Sequence, residues 1–478
     1  MRRIRTASIA TLGCKLNQSE SDQMAQQLVE AGVTLVPFGQ RADLCLVNSC
    51  TVTHIGDRKS RQLIRQAIRA NPAAFVAVAG CYAELEGEAV KAIEGVHAVL
   101  GNRGKDRLLE LLREHSLEFG DGDLTPRPPS PQGKGEDFSP LPSEGNGESF
   151  PPPVGEGMGE RSVSRTRAFV KIQEGCDNNC SYCIVPAARG HQRSRPADEV
   201  VEEIRKLVAE GHQEVVLTGV NITAYGRDWG SRATRENVGG QGLLRLLDRI
   251  LAETDLPRLR LSSLQPEDWN PNFYDLWSSG RLCRHLHLSL QSGSDAVLKR
   301  MRRRYNCDRY AEIVSEARRA VPGVAITTDV IVGFPGETDE EHRQTEVFLR
   351  SIGLAGLHVF KYSPRSGTPA AVMPDQVDPR IKQERSEQLM ALAAEMGRDF
   401  RTRFLRSTLG VLWEERLLQE DGDRLGLRDN SSDSLWWSGL SDNYVRVYTA
   451  SSRPLAGTIG GTRIERLVGD GVVGVPLR

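Results

Sequence analysis

Short apolar runs alternate with stretches of helical periodicity along the first hundred residues. Ala7-Ser8-Ile9-Ala10, Leu44-Cys45-Leu46-Val47 and Phe75-Val76-Ala77-Val78-Ala79 have the length and residue types of buried strands. Helical periodicity fills 19–30 and 57–70 between them. This alternation predicts an α/β fold whose first domain, residues 1–118, is a small open parallel sheet with flanking helices. The pattern returns between 165 and 403, with strands expected at 168–172, 214–218, 259–261, 285–290, 325–332 and 356–360 and helices such as 197–210 and 340–351 separating them. Six βα-like units predict an open or partial (βα)6 barrel, with active groups at the carboxyl ends of its strands. Beyond residue 404 the chain changes to short β runs broken by Gly, Asp-Asn and Ser-Arg-Pro turns, the pattern of a small antiparallel barrel.

One segment fits none of these domains. Nine prolines and nine glycines fall among residues 120–160, too many for a packed core. Gly-x-Gly-Glu recurs at Gly133, Gly145 and Gly157. A phosphate loop needs a strand before it and a helix after it, and neither is predicted there. Residues 119–164 therefore read as a low-complexity disordered linker with no catalytic role.

A length of 478 residues supports two to four domains. No apolar stretch is long enough to span a bilayer, and the amino-terminal residues read as a first strand rather than a signal peptide. The expected location is the cytoplasm, where thiols are reduced. The nine cysteines are then metal ligands or buried hydrophobes in preference to disulfides. Net charge is −1, so any nucleic-acid binding must come from local patches. Three basic clusters qualify: Arg58, Lys59, Arg61, Arg65 and Arg69; Lys299, Arg300, Arg302, Arg303 and Arg304; Arg398, Arg401, Arg403 and Arg406. Each taken alone reads better as an ordinary solvated helix face, and the three together favour RNA only modestly.

Six cysteines form two sets of three. Cys14, Cys50 and Cys81 each follow a predicted strand, and strand ends in open α/β sheets line a common crevice. Three cysteines distant in sequence would converge there. Cys176, Cys180 and Cys183 form a compact Cys-x3-Cys-x2-Cys directly after the first strand of the second domain. Three soft thiolates leave one position open on an iron–sulfur cluster, and an open position is where chemistry occurs. The alternative for the compact set is a zinc knot completed by His191. Cys45, Cys283 and Cys307 match no ligand position, and Cys45 reads as a buried hydrophobe. His287 and His358 fall on predicted strands and read as pocket-wall or core histidines.

The compact motif, with Tyr182 before its last cysteine, resembles the signature of the radical S-adenosylmethionine superfamily. Leu217-Thr218-Gly219-Val220-Asn221, Ser289-Leu290-Gln291-Ser292-Gly293-Ser294 and Asp329-Val330-Ile331-Val332-Gly333-Phe334-Pro335-Gly336-Glu337-Thr338 resemble its later strand-end motifs. The resemblance implies a 4Fe–4S cluster on Cys176, Cys180 and Cys183, and S-adenosylmethionine held near Tyr182, Gly219, Val220, Ser289, Gln291 and Asp329. Electron transfer to the sulfonium would then yield a 5′-deoxyadenosyl radical. The whole layout, with Ile172-Gln173-Glu174-Gly175-Cys176 and Tyr362-Ser363-Pro364-Arg365-Ser366-Gly367-Thr368-Pro369-Ala370, resembles the methylthiotransferases. That likeness implies a second 4Fe–4S cluster on Cys14, Cys50 and Cys81 that carries sulfur, and a carboxyl-terminal RNA-binding TRAM barrel.

Thr11-Leu12-Gly13-Cys14-Lys15-Leu16-Asn17-Gln18-Ser19-Glu20, Val47-Asn48-Ser49-Cys50-Thr51-Val52-Thr53 and Gly80-Cys81-Tyr82-Ala83 resemble the branch acting on threonylcarbamoyladenosine at position 37 of tRNA. The implied reaction is C2 methylthiolation of that base in an anticodon loop, with an electron donor such as flavodoxin or ferredoxin and no membrane partner. Isopentenyladenosine in tRNA, or a ribosomal-protein aspartate, is the alternative substrate within the family. The alternative outside it is a zinc-stabilised RNA-binding protein. Trp436, Trp437 and Tyr444 either stack on RNA bases or fill the core of the terminal barrel. Arg398, Arg401 and Arg403 on the preceding helix are the candidate basic supplement.

Overall fold

The computed structural model describes residues 2–119, 166–230, 240–427 and 435–477. The Pro- and Gly-rich segment read as a linker lies outside them except for Phe119, which ends a short strand, Leu117–Phe119, paired in parallel with Arg2–Ile4.

The amino-terminal sheet is entirely parallel. Its strands are β1 (Thr6–Thr11), β2 (Thr34–Leu35), β3 (Leu44–Ser49), β4 (Phe75–Gly80) and β5 (Ala98–Val99), in the order β2-β1-β3-β4-β5. Alternation along β3 and β4 fills both faces. Leu44 and Leu46 pack with Met24 and Leu28 of helix α1 (Lys15–Glu30), while Val47, Val76 and Val78 pack with Ile64 of helix α2 (His54–Ala70). Thr53 caps α2 by accepting the Gly56 N–H at 3.1 Å. Cys45 sits in this core, as expected of a small hydrophobe. Helix α1 starts at Lys15, four residues before the sequence periodicity suggested. Apart from Leu16, its first turns bury polar residues, Asn17, Ser19, Glu20 and Ser21, and so carry almost no apolar periodicity.

The central domain is a curved wall of parallel strands: β6 (Arg167–Lys171), β7 (Glu214–Thr218), β8 (Arg258–Leu261), β9 (Ser263–Leu264), β10 (His285–Leu288), β11 (Ala325–Val332) and β12 (Gly356–Lys361). Only Ser262 separates β8 from β9, so the two sheets form one six-stranded succession, and among the described residues β6 and β12 do not pair. This is the expected partial barrel. Val215, Leu217, Leu259, Leu286, Leu288, Ile326 and Val330 join the large core under the outer helices. The period-2 alternation then turns Arg167, Glu214, Arg258, Arg260, His285, His287, Thr327, Asp329 and His358 to the concave face. The barrel interior is therefore strongly polar.

The amino-terminal domain spans the gap between β6 and β12. On one side Ser19 Oγ donates to the Phe169 carbonyl at 2.9 Å; on the other, the His54 N–H donates to Ser363 Oγ at 3.2 Å, just past β12.

The carboxyl-terminal strands β13 (Thr408–Arg416), β14 (Leu435–Ser441), β15 (Arg446–Ser451), β16 (Ile459–Val468) and β17 (Gly471–Pro476) close into a barrel in the order β13-β14-β15-β17-β16. The expectation of a purely antiparallel barrel is corrected at one seam, where β15 and β17 run parallel. Trp413 and Trp437 lie in its core. The turn between β14 and β15 docks under the amino ends of the central strands. Arg258 Nη1 donates to Leu440 O at 3.3 Å, Arg260 Nη2 to Ser441 O at 3.0 Å, and Arg284 pairs with Asp442 at 2.6 Å. Tyr444 stacks on His285 with ring centroids 4.0 Å apart and planes 6° from parallel. Tyr444 thus belongs to an internal interface rather than to a surface that stacks on RNA. No helix of the described residues is long and apolar enough to cross a membrane.

Glu214 holds this junction together. It is fully buried and meets Arg260 at 2.6 Å, Arg258 at 3.2 Å and Arg167 at 4.0 Å. Burial pushes its pKa up, but Arg260, Arg258 and Arg167 outweigh burial and hold it at about 2. Glu214→Gln removes one side of a buried ionic cluster and is expected to cost about 3–5 kcal/mol, read as a lowered thermal midpoint. A depressed folded pKa means the contribution is complete above the unfolded value near ~4.3 and fades as pH falls toward about 2. The thermal midpoints of wild type and Glu214→Gln should accordingly converge on acidification across that window.

Candidate active site

Cys14, Cys50 and Cys81 follow β1, β3 and β4, three adjacent strands, so the parallel sheet brings them together at its carboxyl edge. Close approach demands glycine beside them. Gly13 has φ +112°, and a Cβ there would lie 2.9 Å from Cys50 Cβ and 3.1 Å from its Sγ. Gly80 has φ +96°, and a Cβ would meet the Ser49 carbonyl at 2.3 Å. Burial pushes the Cys50 thiol up to about 12, and the neighbouring Cys14 and Cys81 add to the shift. Three crowded thiols cannot ionise together unless a cationic group compensates them, which is the chemistry of a metal-cluster site. The Asn102 side-chain N–H donates toward Cys81 Sγ at 3.6 Å and to the Ala188 carbonyl at 2.6 Å.

Cys176, Cys180 and Cys183 lie in the loop between β6 and the short helix α3 (Val185–Arg189). Burial pushes the Cys183 thiol up to about 12, again with its two neighbours contributing. The Asn178 N–H donates to Cys176 Sγ at 3.4 Å, and Arg303 Nη1 donates to Cys180 Sγ at 3.3 Å. Donors aimed at sulfur stabilise thiolate ligands of iron–sulfur clusters, so both triads fit such a group. His191 does not complete a zinc knot: its side chain is 96% exposed and pairs with Asp177 at 2.8 Å.

The residues expected to hold S-adenosylmethionine border the same interior. Tyr182 packs edge-on against Phe334, with centroids 6.5 Å apart. Val220 N–H donates to Gln173 Oε1 at 2.9 Å, and Gly219 has no room for a Cβ beside the Gln173 carbonyl. Ser289 is buried, and its carbonyl accepts from Tyr305 Oη at 2.9 Å. Gln291 has φ +72°, an unfavourable value for a residue with a side chain, and its N–H donates to Asp329 O at 2.8 Å. Asp329 lies 3.3 Å from His287 Nε2 and 3.1 Å from His358 Nδ1. Burial opposes its ionisation, yet His287 and His358 hold the carboxyl well below its usual range. Thr327 Oγ1 contacts both His287 Nδ1 and His285 Nε2 at 3.0 Å. The two strand histidines, read from sequence as bland wall residues, thus belong to one hydrogen-bonded row.

Two ionic contacts join the cysteine-bearing domains, and neither was visible in the sequence. Arg189 reaches Glu20 at 2.7 Å, Asn17 at 2.5 Å and Glu174 at 3.2 Å. Glu20 also receives Lys105 at 2.5 Å and Lys171 at 3.6 Å, and both Glu20 and Lys105 are buried. Burial opposes Glu20 ionisation, but Arg189, Lys105 and Lys171 hold its pKa far below the usual carboxylate range. On the other side Arg365 donates to Asp57 at 2.7 Å and Thr51 at 2.6 Å.

The basic clusters separate in the structure. In the second cluster Arg303 is turned in against Cys180 and Glu267 and Arg300 grips Glu341 with two 2.8 Å bonds, while Lys299, Arg302 and Arg304 stay exposed. Arg401 is half-buried, and burial lowers its pKa. On α2, Arg58, Lys59, Arg65 and Arg69 are exposed and have no carboxylate partner among the described residues.

Residues 170–349 match the Radical SAM superfamily, and residues 6–101 match a family described as Uncharacterized protein family UPF0004. The chain is 35% identical over 456 residues to the threonylcarbamoyladenosine tRNA methylthiotransferase MtaB of Bacillus subtilis, covering 95% of this chain and 92% of that protein. It is 33% identical to the protein of the same name from Thermotoga maritima, covering 98% and 96%. It is 37% identical over 402 residues to a tRNA-2-methylthio-N(6)-dimethylallyladenosine synthase of Nitratidesulfovibrio vulgaris, covering 81% of each. Among solved structures, a radical S-adenosylmethionine methyltransferase, TsrM, from Kitasatospora setae shares the fold, with a TM-score of 0.51 at 16% identity over 77% of this chain and 75% of that one.

Arg189→Met strands Glu20 and Glu174 without their guanidinium partner. The expected cost is about 3–5 kcal/mol of docking stability. Hydrogen exchange at the amides of α1 and of β6 should accelerate by about a hundredfold or more, while amides in the carboxyl-terminal barrel stay protected.

Proposed function

The chain belongs to the radical S-adenosylmethionine methylthiotransferase family, and we propose that it converts N6-threonylcarbamoyladenosine at position 37 of tRNA to the 2-methylthio derivative. The observation that supports this most directly is the convergence of two thiol triads around one polar barrel interior. Near-full-length likeness to threonylcarbamoyladenosine methylthiotransferases selects the substrate. Cys176, Cys180 and Cys183 hold a 4Fe–4S cluster, and in this reading Cys14, Cys50 and Cys81 hold a second. Bound there, the clusters supply the electron that cleaves S-adenosylmethionine and the sulfur that ends on C2 of the adenine.

The chain's own groups do the positioning. Arg303 and the Asn178 N–H place positive charge against the thiolates of Cys180 and Cys176. Tyr182, Gly219, Val220, Ser289, Gln291 and Asp329 line the side where S-adenosylmethionine is expected, with Gln173 fixing the backbone at Val220 and Asn221. The amino-terminal domain closes the lateral gap of the barrel and the β14–β15 turn closes its amino end. The target base enters unpaired from an anticodon loop, because a stacked, paired adenine does not offer its C2 edge. The exposed basic face of α2 is the surface that fits the phosphates of such an RNA. A small one-electron carrier such as ferredoxin or flavodoxin is the expected reductant.

Anaerobic wild-type protein is expected to bind about eight irons per chain, and a variant with Cys14, Cys50 and Cys81 all changed to Ala about four. That variant should still form 5′-deoxyadenosine but no methylthio nucleoside. Mass spectrometry of tRNA from a deletion strain should lack 2-methylthio-N6-threonylcarbamoyladenosine. Its persistence, with no other enzyme to make it, overturns the substrate; zinc in place of iron overturns the chemistry. Arg58→Glu with Arg65→Glu should weaken tRNA binding and flatten its salt dependence by about two ions, and an unchanged salt slope removes α2 from the RNA surface.

A further inference from the structure

We propose that Lys15 is the specificity residue of this enzyme, binding the carboxylate of the threonylcarbamoyl group. The assignment rests on the substrate reading above and names the side chain that carries it. Lys15 directly follows Cys14 and opens α1, the helix that fills the lateral gap of the barrel. Its ammonium points to the floor of the interior, 5.8 Å from the ring centroid of Tyr444, which is stacked on His285. No carboxylate lies within ion-pair distance of it among the described residues. This sets the half-buried Lys15 apart from the buried cations near the two triads: Arg189, Lys105 and Lys171 share Glu20, and Arg303 meets Glu267.

The surroundings add to the positive field in which it lies. Glu214 and Glu414 are the carboxylates of this floor, and four guanidiniums answer them: Arg258, Arg260 and Arg167 on Glu214, with Arg167 and Arg446 on Glu414. Lys15 adds a fifth cation, so the floor has an excess of positive charge. Two neighbours register that field. Lys15, Arg167 and Arg260 draw the Tyr444 phenol below its usual pKa against the effect of burial, and burial with Arg260 and Lys15 holds the His285 imidazole neutral. The His285 Nδ1, in the same layer, has no hydrogen-bond partner. An unpaired ammonium, an excess of cations and an unsatisfied polar atom together suit an anionic, hydrogen-bonding ligand and disfavour a hydrocarbon one.

The geometry of the modified base supplies the rest. With the ureido arm folded so that its outer, threonyl-side N–H closes a six-membered hydrogen-bonded ring on N1, the arm lies beside the ring atom next to C2. The threonyl carboxylate therefore lies on the same edge of the base as the carbon that must meet the Cys14 site. A lysine adjacent to Cys14 in the chain is placed to reach it, and the neighbouring hydroxyl has His285 as a partner. A dimethylallyl arm offers this floor no charge and no hydrogen bond, so the same residue that attracts one substrate rejects the other.

The test compares anticodon stem-loops carrying N6-threonylcarbamoyladenosine, its carboxyl methyl ester or plain adenosine, with binding read by fluorescence anisotropy. The holoenzyme is used as wild type, Lys15→Gln and Lys15→Arg. A charge-assisted contact predicts that wild type binds the acid about tenfold or more tightly than the ester. Lys15→Gln should reduce that ratio to about one, with affinity for the plain loop unchanged, and Lys15→Arg should keep most of it. Lys15→Arg retains a cation at the same place, so retained discrimination there shows that loss in Lys15→Gln is not a folding defect. A Lys15→Gln enzyme that still prefers the acid tenfold, or a wild type that binds acid and ester alike, overturns the proposal. Product analysis on the same loops separates the two readings: discrimination without methylthio product would sink the proposed reaction and leave Lys15 as the carboxylate receptor.

Discussion

The buried ionic seam around Glu20 is the constraint on which the arrangement of both cysteine triads depends. Glu20 sits on the helix that begins just after Cys14, and Arg189 ends the helix that begins just after Cys183. The bond between them ties one triad to the other through two short, rigid pieces of helix. Taking such charges out of water is expensive, and their mutual attraction compensates only when the geometry is good and the remaining hydrogen bonds are made. Here three cations surround Glu20, and Asn17 and Glu174 take the rest of the Arg189 guanidinium. An apolar interface of the same area would tolerate sliding. A buried ion cluster has one register, so it fixes the relative position of the two cysteine triads to a fraction of a turn.

The second tie, Arg365 to Asp57 and Thr51, lies on the opposite edge of the barrel opening. Together the two make the amino-terminal domain the missing wall of an incomplete barrel. A closed eight-stranded barrel would fill its centre with side chains. Leaving the gap and covering it with a separate domain lets that wall carry a second set of three cysteines. The charged residues that the central strands turn inward are satisfied by one another and by the β14–β15 turn.

The parts legible in the sequence were those with local signatures. Strand–helix alternation located the domains' sheets, and cysteines placed just after apolar runs were correctly read as strand-end residues. The partial barrel followed from six repeats of one pattern. What the sequence did not show are pairings between residues far apart in the chain. Nothing near Arg189 announces Glu20, and nothing near Arg365 announces Asp57. Arg303 was hidden differently: it lies in a run of basic residues whose composition suggests RNA, yet burial against Cys180 makes it part of the cluster site. The early start of α1 was missed because its first turns bury Asn17, Ser19 and Glu20, and a polar buried face leaves no trace in hydrophobic periodicity. Tyr444 was undecidable from sequence, since an aromatic in a β-turn suits a core, an RNA surface or, as found, the floor of another domain's cavity.

That floor changes how the three domains relate. The carboxyl-terminal barrel has a core of its own, but its β14–β15 turn supplies Tyr444 and Asp442 to the central domain, and Phe400 from the preceding helix packs into the barrel's core. Its connection to the cavity runs through Glu214, so a substitution in the barrel's turn is felt at the first residue of β7. The domain read as an RNA module is thus also the base plate of the central barrel. This dual placement follows from the charge balance. Four arginines around two buried carboxylates are unstable unless carbonyl groups and a phenol ring complete their coordination, and the turn delivers the Leu440, Ser441 and Asp442 carbonyls together with the Tyr444 ring. The positive floor therefore exists because the third domain is docked, and the polarity of the barrel interior is a property of the whole chain rather than of the central barrel alone.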